Sequence, residues 1–130
     1  MPITVSDVMT PDPMTLALTA TVGDAYALMK ERGFRHVPIA EGDLLMGVFS
    51  LTDVGHLGAR VPEILQLPLH EVMTKNPVTV KPEESVSAAA ATMASRKINC
   101  LIVCVDNKIT GIVTTYDLLD ALARRVRDGD

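Results

Sequence analysis

One spacing organises this chain. Gly47-Val48-Phe49-Ser50-Leu51-Thr52-Asp53 returns 64 positions later as Gly111-Ile112-Val113-Thr114-Thr115-Tyr116-Asp117. The same offset, without a gap, aligns Val8-Met9-Thr10 with Val72-Met73-Thr74, Pro13 with Pro77, Thr15 with Thr79, Val22 with Val86, Ala25 with Ala89 and Met29 with Met93. A self-match at one fixed spacing means two copies of one supersecondary unit. Two copies are too few for a solenoid, so a closed pair about a pseudo-two-fold axis is the expected arrangement.

The repeated glycine, two apolar residues, hydroxyl residue and aspartate read as a buried strand running into a helix. Ser50 or Thr114 stands where an N-cap belongs, and Asp53 or Asp117 falls at the third helical position. Such a helix start presents backbone N–H groups and a partial positive charge, which suits an anion. The same pattern is also an ordinary capping box that needs no ligand. Gly47 and Gly111 have two readings as well: a strand bend without steric cost, or room for a ligand against the backbone.

Two full sets of these motifs in register resemble the cystathionine-β-synthase (CBS) domain family. The markers are Asp7-Val8-Met9-Thr10 and Glu71-Val72-Met73-Thr74, the Pro13/Pro77 step, and the Gly-to-Asp endings at 47–53 and 111–117. The resemblance covers residues 5–124 and implies an α/β (α+β) fold. Two pseudo-symmetric β-α-β-β-α CBS units would pack sheet to sheet with flanking helices as one globular module. The expected division is 5–60 for the first unit, 61–68 for a linker and 69–127 for the second.

The resemblance further implies adenine-containing ligands in clefts that combine the motif of one copy with the wall of the other. One cleft would join Gly111, Thr114 and Asp117 to Thr15 and the run Phe34-Arg35-His36-Val37-Pro38. The other would join Gly47, Ser50 and Asp53 to Thr79 and Ile98-Asn99-Cys100. A carboxylate repels phosphate and suits a pair of ribose hydroxyls, while the Ser50 or Thr114 hydroxyl and the amides would meet the phosphate. The expected ligands are AMP, ADP or ATP, with S-adenosylmethionine behind them, and no cofactor is required. The two clefts are unequal: Phe34 can stack on a base and Arg35 and His36 can meet phosphates, whereas Ile98, Asn99 and Cys100 offer neither.

No nucleophile stands with a base at recognisable spacing, and no phosphate loop or dinucleotide fingerprint is present. The reading is therefore a regulatory binding module rather than an enzyme, and its target an enzyme or transporter. Two rivals remain: a structural dimerisation module with empty clefts, and a metal- or redox-responsive protein using Cys100, Cys104 and a histidine. On one strand those cysteines would stand about 13 Å apart, too far to bridge. His36, His56 and His70 have no ligand spacing between them. Apolar residues make up 48% of the chain and aromatics 3%, so the core must be aliphatic and methionine-rich.

A net charge of −4 argues against nonspecific nucleic-acid binding. Arg124, Arg125 and Arg127 fall in the last helical turns, where cations complement the helix dipole. No stretch approaches the ~18 apolar residues of a membrane span, and the N-terminus lacks the pattern of a signal peptide. The expectation is a cytoplasmic protein. Val61, Ile64, Leu65 and Leu67 in the linker, with the apolar helix faces, point to a symmetric homodimer.

Along the chain, residues 1–14 are expected to form an irregular arm, since Pro11 and Pro13 oppose regular structure. Thr21 should cap a helix ending near Gly33, and Ser85 its counterpart. Strands are expected at Arg35–Ala40, with Pro38 confining it to an edge, and at Leu44–Phe49, Asn99–Val105 and Ile109–Val113. The helix from Leu51 should be short, broken by Gly55 and Gly58, and the last should run over Thr115–Arg127. Pro62 should open a helical turn in the linker.

Overall fold

The computed structural model describes residues 3–58 and 63–127, so Val61 and Pro62 lie outside the described residues. In chain order the elements are α1 (Val5–Val8), β1 (Thr10–Pro11), α2 (Val22–Arg32), β2 (His36–Glu41), β3 (Leu44–Ser50) and α3 (Leu51–Gly58). After a 3-10 turn at Ile64–Gln66 come α4 (Leu69–Val72), β4 (Thr74–Lys75), β5 (Thr79–Val80), α5 (Val86–Arg96), β6 (Cys100–Val105), β7 (Lys108–Thr114) and α6 (Thr115–Arg127). Contacts gather this mixed α/β chain into two compact units, Met14–Pro77 and Met1–Pro13 with Val78–Asp130.

In the unit Met14–Pro77, α2 begins in a reciprocal box. The Thr21 hydroxyl accepts the Asp24 N–H at 3.1 Å, and the Asp24 carboxylate accepts the Thr21 N–H at 2.9 Å. The helix stops at Gly33, whose φ of 79° lets its N–H reach back to the Met29 carbonyl. Val22, Ala25 and Met29 repeat at helical spacing, and that face packs on Val37, Ile39 and Phe49 of the β2–β3 hairpin. Gly42, at φ 65°, turns that hairpin.

Pro38 sits at the edge its chemistry demands. Its carbonyl accepts from Leu16 N–H at 3.1 Å, so the donor it lacks would face away from β3, toward a side held by a single bridge between Leu16 and Ile39. Past β3, the short strand β4 completes the sheet antiparallel, Gly47 opposite Lys75 and Val48 opposite Thr74. The Ile64–Gln66 turn lies against α2: Val22 N–H donates to the Leu67 carbonyl at 2.9 Å, and Ile64 is buried in the core.

The other unit repeats the plan. Ser85 accepts from Ala88 N–H at 3.0 Å to cap α5, and Lys97 takes the left-handed closing position at φ 56° without a glycine. Ala89 and Met93 pack on Leu101, Val103 and Val113. β5 runs parallel to β6, β6 pairs antiparallel with β7 through a turn of Asp106 and Asn107 at φ 52° and 64°, and β1 closes the far side of β7. Two positive φ angles in succession are the signature of a type I′ hairpin.

Two expectations need correction. The N-terminal arm is not irregular: Thr4 and Asp7 form a capping box that starts α1, and Pro11 pairs in β1 opposite Gly111. Pro11 is tolerated because the strand is two residues long and lies at the sheet edge. Nor does Gly55 break α3, which continues through it to Gly58; the helix is short, as expected, at 8 residues against 13 in α6. Repeat and compact unit also divide the chain differently, because residues 5–13 open the first copy by similarity yet pack with the second copy's strands.

Candidate functional site

The two strand–helix junctions are built alike. Ser50 ends β3, and its N–H donates to Asp53 Oδ2 at 2.9 Å while its hydroxyl accepts the Asp53 N–H at 3.2 Å. Thr114 ends β7; its N–H donates to Asp117 Oδ2 at 2.8 Å, its hydroxyl lies 3.2 Å from the same oxygen, and the Asp117 N–H points back at 3.4 Å. Both boxes therefore form in full. Boxes of the same pattern stand at Thr4–Asp7 and Thr21–Asp24, where no ligand is expected, so the box alone does not mark a site. What separates the junctions is burial: their boxes are half-buried, the other two exposed. Oδ2 is the oxygen engaged in each, and Oδ1 takes no hydrogen bond from the described residues.

The expected wall residues stand next to these junctions within each unit. His36 is the cross-strand neighbour of Ser50, and Leu51 N–H donates to the Arg35 carbonyl at 2.8 Å. Cys100 is likewise opposite Thr114, and Thr115 N–H donates to the Asn99 carbonyl at 3.0 Å. Thr15, Arg35, Thr79 and Asn99 are exposed; Phe34, His36, Ile98 and Cys100 are half-buried. Val37 and Pro38 are different, with Val37 wholly inside the core and Pro38 fully buried, so that both serve packing. Phe34 and Ile98 also lean on the two cores, which leaves each with part of its surface.

Electrostatics further separate the walls. Burial pushes the His36 imidazole below its ordinary value; the Asp53 carboxylate pulls the other way, and Arg35 adds to the lowering. His36 is therefore neutral at pH 7 and offers a hydrogen bond rather than a charge. Arg35 is the cation of that wall. In the other unit, burial raises the Cys104 thiol, which makes it a weak nucleophile, and neither Cys100 nor Cys104 forms a disulfide. Among the described residues no cluster of three histidine, cysteine or acidic side chains could hold a metal. No helix among them is long and apolar enough to cross a membrane.

The glycines of the motif have a packing reason that involves no ligand. A Cβ on Gly47 would stand 2.5 Å from Met73 Sδ and 2.8 Å from the Thr74 carbonyl oxygen. One on Gly111 would collide with Met9 Sδ and meet the Thr10 carbonyl at 3.1 Å. Each glycine thus admits the Val-Met-Thr arm of the other copy, which explains why the two motifs occur together. The roles of Met9 and Met73 were not read from sequence, although their place at the same offset as the glycines was a signal.

Comparison with known proteins identifies the family of this fold. The family model described as CBS domain matches residues 5–56 and 69–124. The chain is 32% identical over 116 residues to a homoserine O-acetyltransferase of Methanohalobium evestigatum, covering 88% of this chain but 23% of that protein. It is 30% identical over 114 residues to the CBS domain-containing protein YhcV of Bacillus subtilis, covering 88% of this chain and 81% of that one. Among solved structures, CBSX2 in complex with AMP superposes with a TM-score of 0.82 at 25% identity, over 96% of this chain and 99% of the other. With one family match on each copy of the 64-residue repeat, the chain belongs to the CBS domain family, as a tandem pair.

Proposed function

We propose that this protein is a regulatory module that binds an adenine nucleotide, AMP, ADP or ATP, at its two strand–helix junctions and performs no catalysis of its own. The observation that carries the reading is the pair of half-buried boxes, each holding its aspartate by Oδ2 and leaving Oδ1 open. An open carboxylate oxygen beside helical amides suits ribose hydroxyls, and the amides suit a phosphate. The AMP complex of CBSX2 supports the ligand class. In this reading Thr114 and Asp117 hold one ligand and Ser50 and Asp53 the other, with Thr15, Phe34, Arg35, His36, Thr79, Ile98, Asn99 and Cys100 as the candidate wall residues. Val37 and Pro38 support the wall from inside the core, and Gly47 and Gly111 seat the Val-Met-Thr arms beside the junctions.

The same proposal places the module in the cytoplasm, as a homodimer, acting on an enzyme or transporter. S-adenosylmethionine is the next ligand to try, because it presents the same adenosine. A thermal-shift panel tests the reading: AMP or ATP should raise the melting temperature by several degrees and GTP by less, since its base offers a different hydrogen-bonding edge. Equal shifts with all nucleotides would reduce the site to a phosphate-binding helix end.

One observation favours a second reading, a structural dimerisation module with empty clefts. Each box already satisfies its own hydroxyl, amides and one carboxylate oxygen without help. A melting temperature unmoved by every nucleotide would select it.

A further inference from the structure

The methionines of this chain sort by exposure. Met29 and Met93 are shut inside the two cores, at 2% and 5% exposure, while Met14 stands 42% exposed. Met9 and Met73 fall between these, half-buried, and hold one place in the repeat. Each sets its thioether sulfur where a side chain on a motif glycine would begin, Met9 against Gly111 and Met73 against Gly47. The arm that follows each methionine is short and kinked. Thr10–Pro11 pairs with β7 and Thr74–Lys75 with β3, over two residues each. Next come Asp12 at φ 45° and Asn76 at φ 51°, left-handed and immediately before Pro13 and Pro77. Aspartate and asparagine tolerate that conformation best, but a residue before proline favours extended backbone. Such a shape persists where its surroundings hold it. Both kinks fall where the chain passes from one compact unit to the other, at Pro13–Met14 and Pro77–Val78. Two ladder pairs and a methionine seat hold each arm in place.

We propose that Met9 and Met73 are sites of reversible oxidation by a hydroperoxide, and that their conversion to the sulfoxide releases the two arms from their glycine seats. The thioether sulfur attacks the terminal peroxide oxygen and the O–O bond breaks. That oxygen stays on sulfur, and the peroxide proton passes to the departing hydroxide or alkoxide, which leaves as water or an alcohol. Sulfur gives up an electron pair and the peroxide is reduced. The product is a polar end in place of an apolar one. On the glycine side the sulfur has no space for the new oxygen, since a Cβ placed there already overlaps it. The oxygen must therefore turn outward to water, and the side chain must leave its seat. Gly47 and Gly111 lie on β3 and β7, the strands that end at Ser50 and Thr114. An arm released from these strands loosens the start of each aspartate box, so oxidation lowers ligand affinity as well as stability. The loss of affinity rests on the nucleotide reading; the loss of stability does not.

The test treats the full chain with hydrogen peroxide, maps sulfoxide by peptide mass spectrometry, and follows the melting temperature without ligand and AMP binding by calorimetry. Met14 should react first, then Met9 and Met73, while Met29 and Met93 stay reduced. As Met9 and Met73 convert, the melting temperature should fall by several degrees and AMP affinity severalfold, and methionine sulfoxide reductases should restore both. The volume-conserving variant M9L/M73L should keep its melting temperature under the same treatment. The complementary variant M14L/M46L leaves the arms untouched and should fall with wild type. Met9 and Met73 still reduced when Met14 is fully oxidised would overturn the site. Both oxidised with an unchanged melting temperature would overturn the release of the arms. A resistant M14L/M46L would overturn the proposal even if M9L/M73L did not fold. A melting temperature that falls with Met9 and Met73 oxidation, in a protein that binds no AMP before or after, would uphold the modification and sink the nucleotide reading.

Discussion

Gly47→Ala is the substitution whose outcome the packing dictates most sharply. The added methyl meets Met73 Sδ at 2.5 Å and the Thr74 carbonyl oxygen at 2.8 Å, in a strand where backbone cannot move without breaking the pairing of Gly47 with Lys75. The sulfur is the end of a flexible side chain and can swing away; the carbonyl cannot. Overpacking of this kind costs about 1–3 kcal/mol, against which the stiffer unfolded chain returns about 0.4–1. A net loss of about 1 kcal/mol lowers the melting temperature by roughly 3–6 °C in a domain of this size. Gly111→Ala should cost less, since its nearest carbonyl stands at 3.1 Å and the side chain in the way is again a methionine. Met73→Ala should relieve part of the Gly47→Ala cost, in a double-mutant cycle read by thermal melting without ligand. Gly55→Ala supplies a control of opposite sign, because nothing lies within 4 Å of its Cβ and it sits within α3. There alanine should stabilise by up to about 1 kcal/mol. If Gly47→Ala melts with wild type and loses only nucleotide binding, the glycine serves the ligand and the packing account is wrong.

Other outcomes follow from the same geometry. Ser50→Ala and Thr114→Ala remove a cap and should each cost about 1 kcal/mol, measured by urea unfolding. The buried His36 has its folded value below that of the unfolded chain, so the unfolded state takes the proton first. Stability should therefore fall as pH drops below the ordinary histidine value of about 6.5. His36→Gln should flatten that part of the melting-temperature profile; an unchanged slope would show that His36 does not produce it. The two nucleotide sites should differ in strength, because Phe34 can stack for about 0.5–1.5 kcal/mol and Arg35 can add a charge-assisted hydrogen bond of about 1.5–3. Full additivity would give on the order of 30-fold to a thousandfold in affinity, and the partial burial of Phe34 makes the lower end the expected one.

Much of the fold was legible because it is written twice. The helix bounds of α2 follow from Thr21 and Gly33, that of α6 from its leucine spacing, and the edge position of β2 from Pro38. The arms were not legible. β1 and β4 are two residues long, too short to carry a period, and either Val-Met-Thr arm could pair with either glycine strand on sequence alone. Which arm joins which strand is decided by non-local contacts, and it places β1 on β7 and β4 on β3. At the candidate site, the boxes were legible from their spacing. That Val37 and Pro38 turn inward was not: a run with Val37 through Ala40 all buried has no alternation to read. The neutral state of His36 was equally hidden, since it depends on burial, which outweighs the opposing pull of Asp53 from α3.

The central claim is that an adenine nucleotide binds at the aspartate of a strand–helix junction. Titration calorimetry of AMP into wild type, Asp117→Ala and Asp53→Ala tests it most directly. The account predicts saturable binding to wild type, loss of the tighter phase in Asp117→Ala, and loss of only the weaker phase in Asp53→Ala. A wild type that takes up no AMP, ADP or ATP would contradict the claim, and so would two variants that bind with wild-type affinity.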